Sequence, residues 1–254
     1  MSAKDDHYDL RRYYRNVANL NIWQGKLGEA TKNILSAIEH STKTGDSTVV
    51  HSDYDILARY HYRNGHVDSA IFYAELARPW ATAFSKIQYP FLLLEFDYSR
   101  RGEARDIFKS EWSEFRAKLP SDFLNLLDAL GEVFEARYDA DTAKVIEGIS
   151  QLAILQGDDA TSQNRYNLGV MKVKFRQYES GKKILMNFVD ARNQSPAGYP
   201  YLLAKYYLGV ANQALGNNKD AAENFTEMLT YWTDPDIETK EIKDARKRLA
   251  ELTS

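Results

Sequence analysis

The sequence predicts an all-α chain of stacked helical hairpins, and three observations carry that reading. Apolar residues recur at helical spacing through most of the length, with few β-branched alternations. The six prolines and thirteen glycines are thinly spread over 254 residues, and no Gly/Ser- or Pro-rich linker interrupts them. A pattern of small residues also returns at long, regular intervals, as it does in repeat architectures.

The clearest copy is "YYLGVANQALGNNKDAAENF", Tyr206 to Phe225. Gly209 is followed twelve residues later by Ala221 and four further on by Phe225. "YNLGVMKVKFRQYESGKKIL" repeats the spacing with Gly169, Gly181 and Leu185. Upstream, Gly131 pairs with Ala143, Ala58 with Ala70 and Ala74, and Ala18 with Ala30 and Ile34. Glu95 and Ile107 occupy these positions in the one poor copy. The first small positions lie 40, 37, 36, 38 and 40 residues apart. Helix axes approach to about 8–10 Å only where small side chains meet, so Gly209 is expected opposite Ala221, and Gly169 opposite Gly181. Gly25, Gly65 and Gly216 stand where each chain leaves its first helix, a stop that favours glycine.

The hairpins are expected at about 8–40, 50–79, 82–118, 121–156, 160–192 and 199–233, forming one domain over 1–254. After Asp234-Pro235, a charged amphipathic helix over 236–252 is expected to cover the end of the stack through Ile237, Ile242, Ala245, Leu249 and Leu252.

Composition narrows the function classes. The net charge is -3, with 33 Lys/Arg against 36 Asp/Glu, so the basic excess of a generic nucleic-acid binder is missing. No cysteine is present, which removes disulfides, thiolate metal sites and cysteine nucleophiles. The charged N-terminus has no apolar signal region, and "YPFLLLEF" is too short to span a bilayer. A cytoplasmic protein without membrane insertion is expected, or a periplasmic one if a leader was removed.

Chemistry-bearing motifs are absent. "ESGKKI" places Lys183 where a phosphate-binding loop needs Ser or Thr, and Arg176 where it needs the first Gly. The five histidines form no metal-ligand ladder, since His61 and His66 straddle the turn at Gly65. Carboxylate pairs such as Asp139/Asp141 fall at helix starts, where they favour N-termini. No cofactor, metal or catalytic residue is expected. Trp23, Trp80, Trp112 and Trp232 are expected to fill hairpin cores.

The Leu-Gly pair, the turn glycine and the small–large–small second helix together resemble the tetratricopeptide repeat (TPR) family over about residues 11–233. The family's tryptophan position is mostly Tyr, Phe or a charged residue here, and its proline is largely missing. These repeats exceed the family's period of about 34 residues and look like those of bacterial signalling proteins. The resemblance implies a superhelix whose concave groove, lined by first helices, binds a protein or peptide. The groove positions it implies are Arg12, Arg15, Asn19 and Trp23, then Asp55, Arg59, Tyr62 and Arg63. Further on come Tyr89, Leu92, Phe96 and Arg100, then Asn125, Asp128, Glu132 and Glu135. The last rows are Tyr166, Val170, Val173 and Lys174, then Leu203, Tyr206, Val210 and Gln213. A basic beginning, acidic middle and apolar end fit a peptide of complementary polarity. Ile56, Tyr89 and Leu93 stand where a chaperone-type carboxylate clamp needs polar and basic residues, which argues against that ligand. The expected function is a non-enzymatic binding scaffold. The alternative is a regulatory or sensor segment of a larger bacterial signalling protein, a kinase or transcription regulator, or a peptide-sensing module.

Overall fold

The computed structural model describes residues 3–120, 124–155, 163–192, 199–232, 234–236 and 238–253, apart from a few side chains within the helices. Among them are thirteen α-helices, two single 3-10 turns and no strand. The chain divides into two compact units, residues 1–120 with 234–239 and residues 121–233 with 240–254.

The first unit pairs α1 (Ala3–Trp23) with α2 (Leu27–Thr44), α3 (Ser47–Arg63) with α4 (Val67–Ala77), and α5 (Ala83–Phe96) with α6 (Arg101–Arg116). Each helix also packs on the next in chain order. Ala18, Ala30, Ala58, Ala70 and Ala74 are all buried, so the recurring small residues do lie at helix crossings. Residues 234–239 add a cap. Asp236 accepts hydrogen bonds from the backbone N–H groups of Gly28 (2.8 Å) and Glu29 (3.3 Å) at the start of α2. Lys26 in the N-cap position offers no side-chain acceptor, so Asp236 supplies the oxygen and the negative charge that this N-terminus favours. A Cβ at position 28 would come within 2.9 Å of that carboxylate, so a larger residue there would push the Asp236 side chain aside.

The second unit holds α7 (Leu124–Tyr138), α8 (Thr142–Leu155), α9 (Gln163–Lys174), α10 (Tyr178–Arg192), α11 (Tyr199–Ala214), α12 (Asn218–Tyr231) and α13 (Lys240–Thr253). Here α9 touches α11 as well as α10, and α11 touches α13 as well as α12. The first helix of one hairpin, α9, thus stacks on the first helix of the next, α11, and α13 continues the row. The expected ends at 121, 156, 160 and 233 lie outside the described residues. The last helix opens at Lys240 rather than 236, because Asp234–Thr239 are held in the first unit. Its apolar face is buried at Ile242 and Ala245, as expected, and half-buried at Leu249 and Leu252; Ile237 lies outside the described residues.

Five hairpin turns share one device. Gly25, Gly65, Ala140, Arg176 and Gly216 have φ of 72°, 80°, 56°, 62° and 78°. In each, the next residue's N–H reaches back five residues: Lys26 to Asn21, His66 to His61, Asp141 to Ala136, Gln177 to Lys172 and Asn217 to Asn212, at 2.8–2.9 Å. This is the Schellman stop, which satisfies carbonyls orphaned at a helix end. The poor third copy lacks it. There Asp97 accepts from the Ser99 N–H and a 3-10 turn, Tyr98–Arg100, leads directly into α6.

Ala140 and Arg176 hold a left-handed conformation without being glycine, at a cost of about 1 kcal/mol each. Arg176→Gly is therefore expected to raise Tm by roughly 2–4 °C in a thermal melt. An unchanged or lower Tm would show that the Arg176 side chain stabilises the turn by as much as its backbone strains it.

Close approach of the helices centres on the expected glycines. Gly181 does meet Gly169, since a Cβ at 181 would lie 3.1 Å from the Gly169 carbonyl oxygen and 2.7 Å from Val173. At Gly209 the nearest atoms belong to the Phe225 ring, and a Cβ there would lie 2.5 Å from it. Phe225 stands one helical turn beyond Ala221, which is itself fully buried. Trp232 is fully buried, in the expected core role, and Trp112 is half-buried and stacks on Phe108 at 4.9 Å. Trp80 is half-buried, and the Trp23 side chain lies outside the described residues.

Candidate interaction surface

The first unit carries a concentration of charge on α3 to α6. Its base is set by α4 ending at Ala77, where Arg78-Pro79-Trp80 turns tightly and exposes Arg78. Beside it an open cleft of about 540 Å³ is lined by Glu75, Arg78, Pro79, Lys86, Ile107 and Glu111. The Arg78 guanidinium lies over the Tyr89 ring, 4.7 Å from its centroid. Among the described residues no carboxylate lies in ion-pair reach of Arg78. Lys86 faces Glu111 at 3.9 Å, a loose and half-exposed pair. Arg78 also borders a narrow crevice lined by His51, Asp55 and Tyr89, among others.

The neighbouring charges are already matched. Arg100 donates to both Glu103 oxygens at 2.7 and 2.8 Å, and to Glu75 at 3.4 Å. Its hydrogen bonds to Glu103, ahead of the one to Glu75, hold its proton more tightly than usual, and the same contact lowers the Glu103 carboxyl. Burial, and then the Glu75 carboxylate beside it, push the Tyr89 hydroxyl up, so that group stays protonated and donates to Glu75 at 3.4 Å.

The residues expected in a groove meet different fates. Arg15 is held inside the first unit, where it and Arg11 clamp Asp53, a carboxylate with no exposed side-chain surface. Asp55 and Arg59 form an i,i+4 pair at 3.0 Å on α3. Tyr62 stacks on Phe96 at 4.5 Å. Arg12 is exposed and paired with Asp9, and Asn19 is exposed. Arg63 has a side chain outside the described residues.

In the second unit Asp128 and Glu132 are exposed, whereas Tyr166 and Val170 are buried. Tyr166 lies against Phe188, 5.4 Å between ring centroids. Lys174 is exposed, with its ammonium 5.7 Å from the Tyr207 ring centroid. Val210 is half-buried. The capping helix engages two of the remaining positions. Tyr206 donates to Asp244 at 2.7 Å, and Gln213 accepts from Arg248 at 2.7 Å. Burial, and then that hydrogen bond, push the Tyr206 hydroxyl above its usual range.

Sequence reasoning missed Arg78, Lys86, Glu75 and Glu111. The repeat pattern directs attention to first helices, and only Lys86 lies on one. The available signal was the Arg-Pro pair at 78–79, which stops a helix and leaves its last cation at the turn.

No family model matches the chain, and no curated protein matches it. Among solved structures it is similar to the crystal structure of the P58(IPK) TPR domain, with 11% identity and a TM-score of 0.40, over 97% of this chain and 80% of that one. Among the described residues no group of three acidic or histidine side chains is assembled for a metal ion, and no helix is long and apolar enough to cross a membrane.

Proposed function

We propose that the protein is a non-enzymatic helical-repeat scaffold that binds a segment of a partner protein at the cleft between α4 and α6. The observation that carries this reading is Arg78. It is an exposed guanidinium, held in place by the Tyr89 ring, beside a roomy cleft, with no carboxylate in ion-pair reach among the described residues. Such a preorganised cation suits a partner carboxylate, and Ile107 and Pro79 offer apolar surface beside it. Lys86 and Glu111, only loosely paired, are free to exchange each other for partner groups.

Affinity capture from the source cell, read by mass spectrometry, tests the proposal. A partner captured by the wild-type protein and titrated calorimetrically is expected to bind at least tenfold more weakly to Arg78→Glu, the loss expected when a charge at an interface is reversed. Arg12→Glu, which alters an exposed cation on α1, is the control and leaves affinity unchanged. Equal affinity of wild type and Arg78→Glu would refute the cleft as the binding site.

A further inference from the structure

His7 on α1 and His40 on α2 bring two ring nitrogens together across the first hairpin. Their Nδ1 atoms lie 3.1 Å apart, with ring centroids at 5.3 Å. Both side chains are half-buried, so one side of the pair remains open to solvent. Tyr14 stacks on His40 at 5.6 Å and nearly parallel, which fixes the plane of that imidazole. The two helix backbones are held by the buried contacts of Ala30, Ile34 and Ala37. Packing thus brings the two donor atoms together.

The separation has chemical meaning. Two imidazole nitrogens about 2.0–2.1 Å from one ion lie roughly 2.9 Å apart at a right angle and roughly 3.3 Å apart at the tetrahedral angle. A distance of 3.1 Å falls between these values, and with the centroids 5.3 Å apart each ring turns by roughly 25° to aim its lone pair at a shared ion. We propose that His7 and His40 bind one borderline divalent cation, Zn(II), Ni(II) or Cu(II), through both Nδ1 atoms. Each ring then keeps its proton on Nε2, and water fills the remaining positions. Two carboxylates adjoin the pair along the chain: Asp6 is exposed, and Glu39 is paired with Lys43 at 2.8 Å. A hydrogen bond between two neutral imidazoles gives the same distance without any metal affinity, so the experiment must separate the two.

The test is a thermal melt of the full chain with each metal chloride in turn. Binding to the folded state alone raises Tm, by about 5 °C at a hundredfold excess over Kd. The expected order is Cu(II) first, then Ni(II) and Zn(II), with no effect of Mg(II). The rise is expected to vanish in His7→Gln and in His40→Gln and to persist in His66→Gln, which removes a member of the other histidine pair. Paramagnetic broadening by Cu(II) in NMR of the wild-type protein provides a reading without variants, and His7 and His40 are expected to broaden first. No rise in Tm, a rise that survives in His40→Gln, or broadening that begins at His61 or His66 would each overturn the site.

Discussion

Asp53→Ala is expected to cost about 3–5 kcal/mol, measured as a fall in the midpoint of urea unfolding. The reason is the asymmetry of buried charge. Asp53 has no exposed side-chain surface and receives Arg11 through Nε and Nη2 at 2.8 and 2.9 Å, and Arg15 through Nη1 at 2.6 Å. Removing the carboxylate leaves two guanidiniums side by side against α3, mostly withdrawn from water, and they repel. The cost is that of orphaned charge, and it differs from the net worth of the triad. Replacing all three residues with apolar ones, as in R11M/D53L/R15M, is therefore expected to recover most of the loss. If Asp53→Ala loses less than 1 kcal/mol, the triad does not hold α1 to α3. The same arrangement bears on function. A weakened partner interaction in an Arg15 variant would report a loosened α1–α3 contact, whereas one in an Arg78 variant would report the cleft.

The periodic features were legible in the sequence and the long-range ones were not. Ala18, Ala30, Ala58 and Ala70 announce helix crossings because a close approach restricts side-chain size locally. Gly25, Gly65 and Gly216 announce turns because the left-handed region selects glycine. Ala140 and Arg176 occupy the same backbone state without that signature, so their turns were visible only through spacing. Asp97, with its 3-10 turn, explains in physical terms why the third copy fits poorly: its helices are joined by a different stop. Groove positions could be assigned to a helix face, since the period fixes which residues lie together. What the period cannot show is whether a side chain already has a partner. Arg15 finds Asp53 38 positions away, Tyr206 finds Asp244 at the same separation, and Gln213 finds Arg248 35 away. Tertiary pairing gives these side chains partners inside their own units, while the helix stop at Pro79 leaves Arg78 without an ion pair among the described residues.

Gly209 and Phe225 should behave as one packing unit. Phe225 is fully buried, so Phe225→Ala is expected to cost about 3–5 kcal/mol through lost burial and the cavity left behind. Gly209→Ala sets two effects against each other. Helix propensity alone favours alanine by about 1 kcal/mol. The new methyl would stand 2.5–2.8 Å from three atoms of the Phe225 ring, and a ring without exposed surface has no room to yield. Overpacking of this kind costs about 1–3 kcal/mol, so the net change is expected to be destabilising. In the double variant the methyl fills space that the ring vacated, and the propensity gain is no longer opposed. Gly209→Ala/Phe225→Ala is thus expected to lose at least 1 kcal/mol less than the sum of the single losses, a coupling that a double-mutant cycle in urea reads directly. Strict additivity would mean that the glycine is there for the backbone alone; coupling of this sign would mean that the repeat's small residue is there to admit the large one on the facing helix.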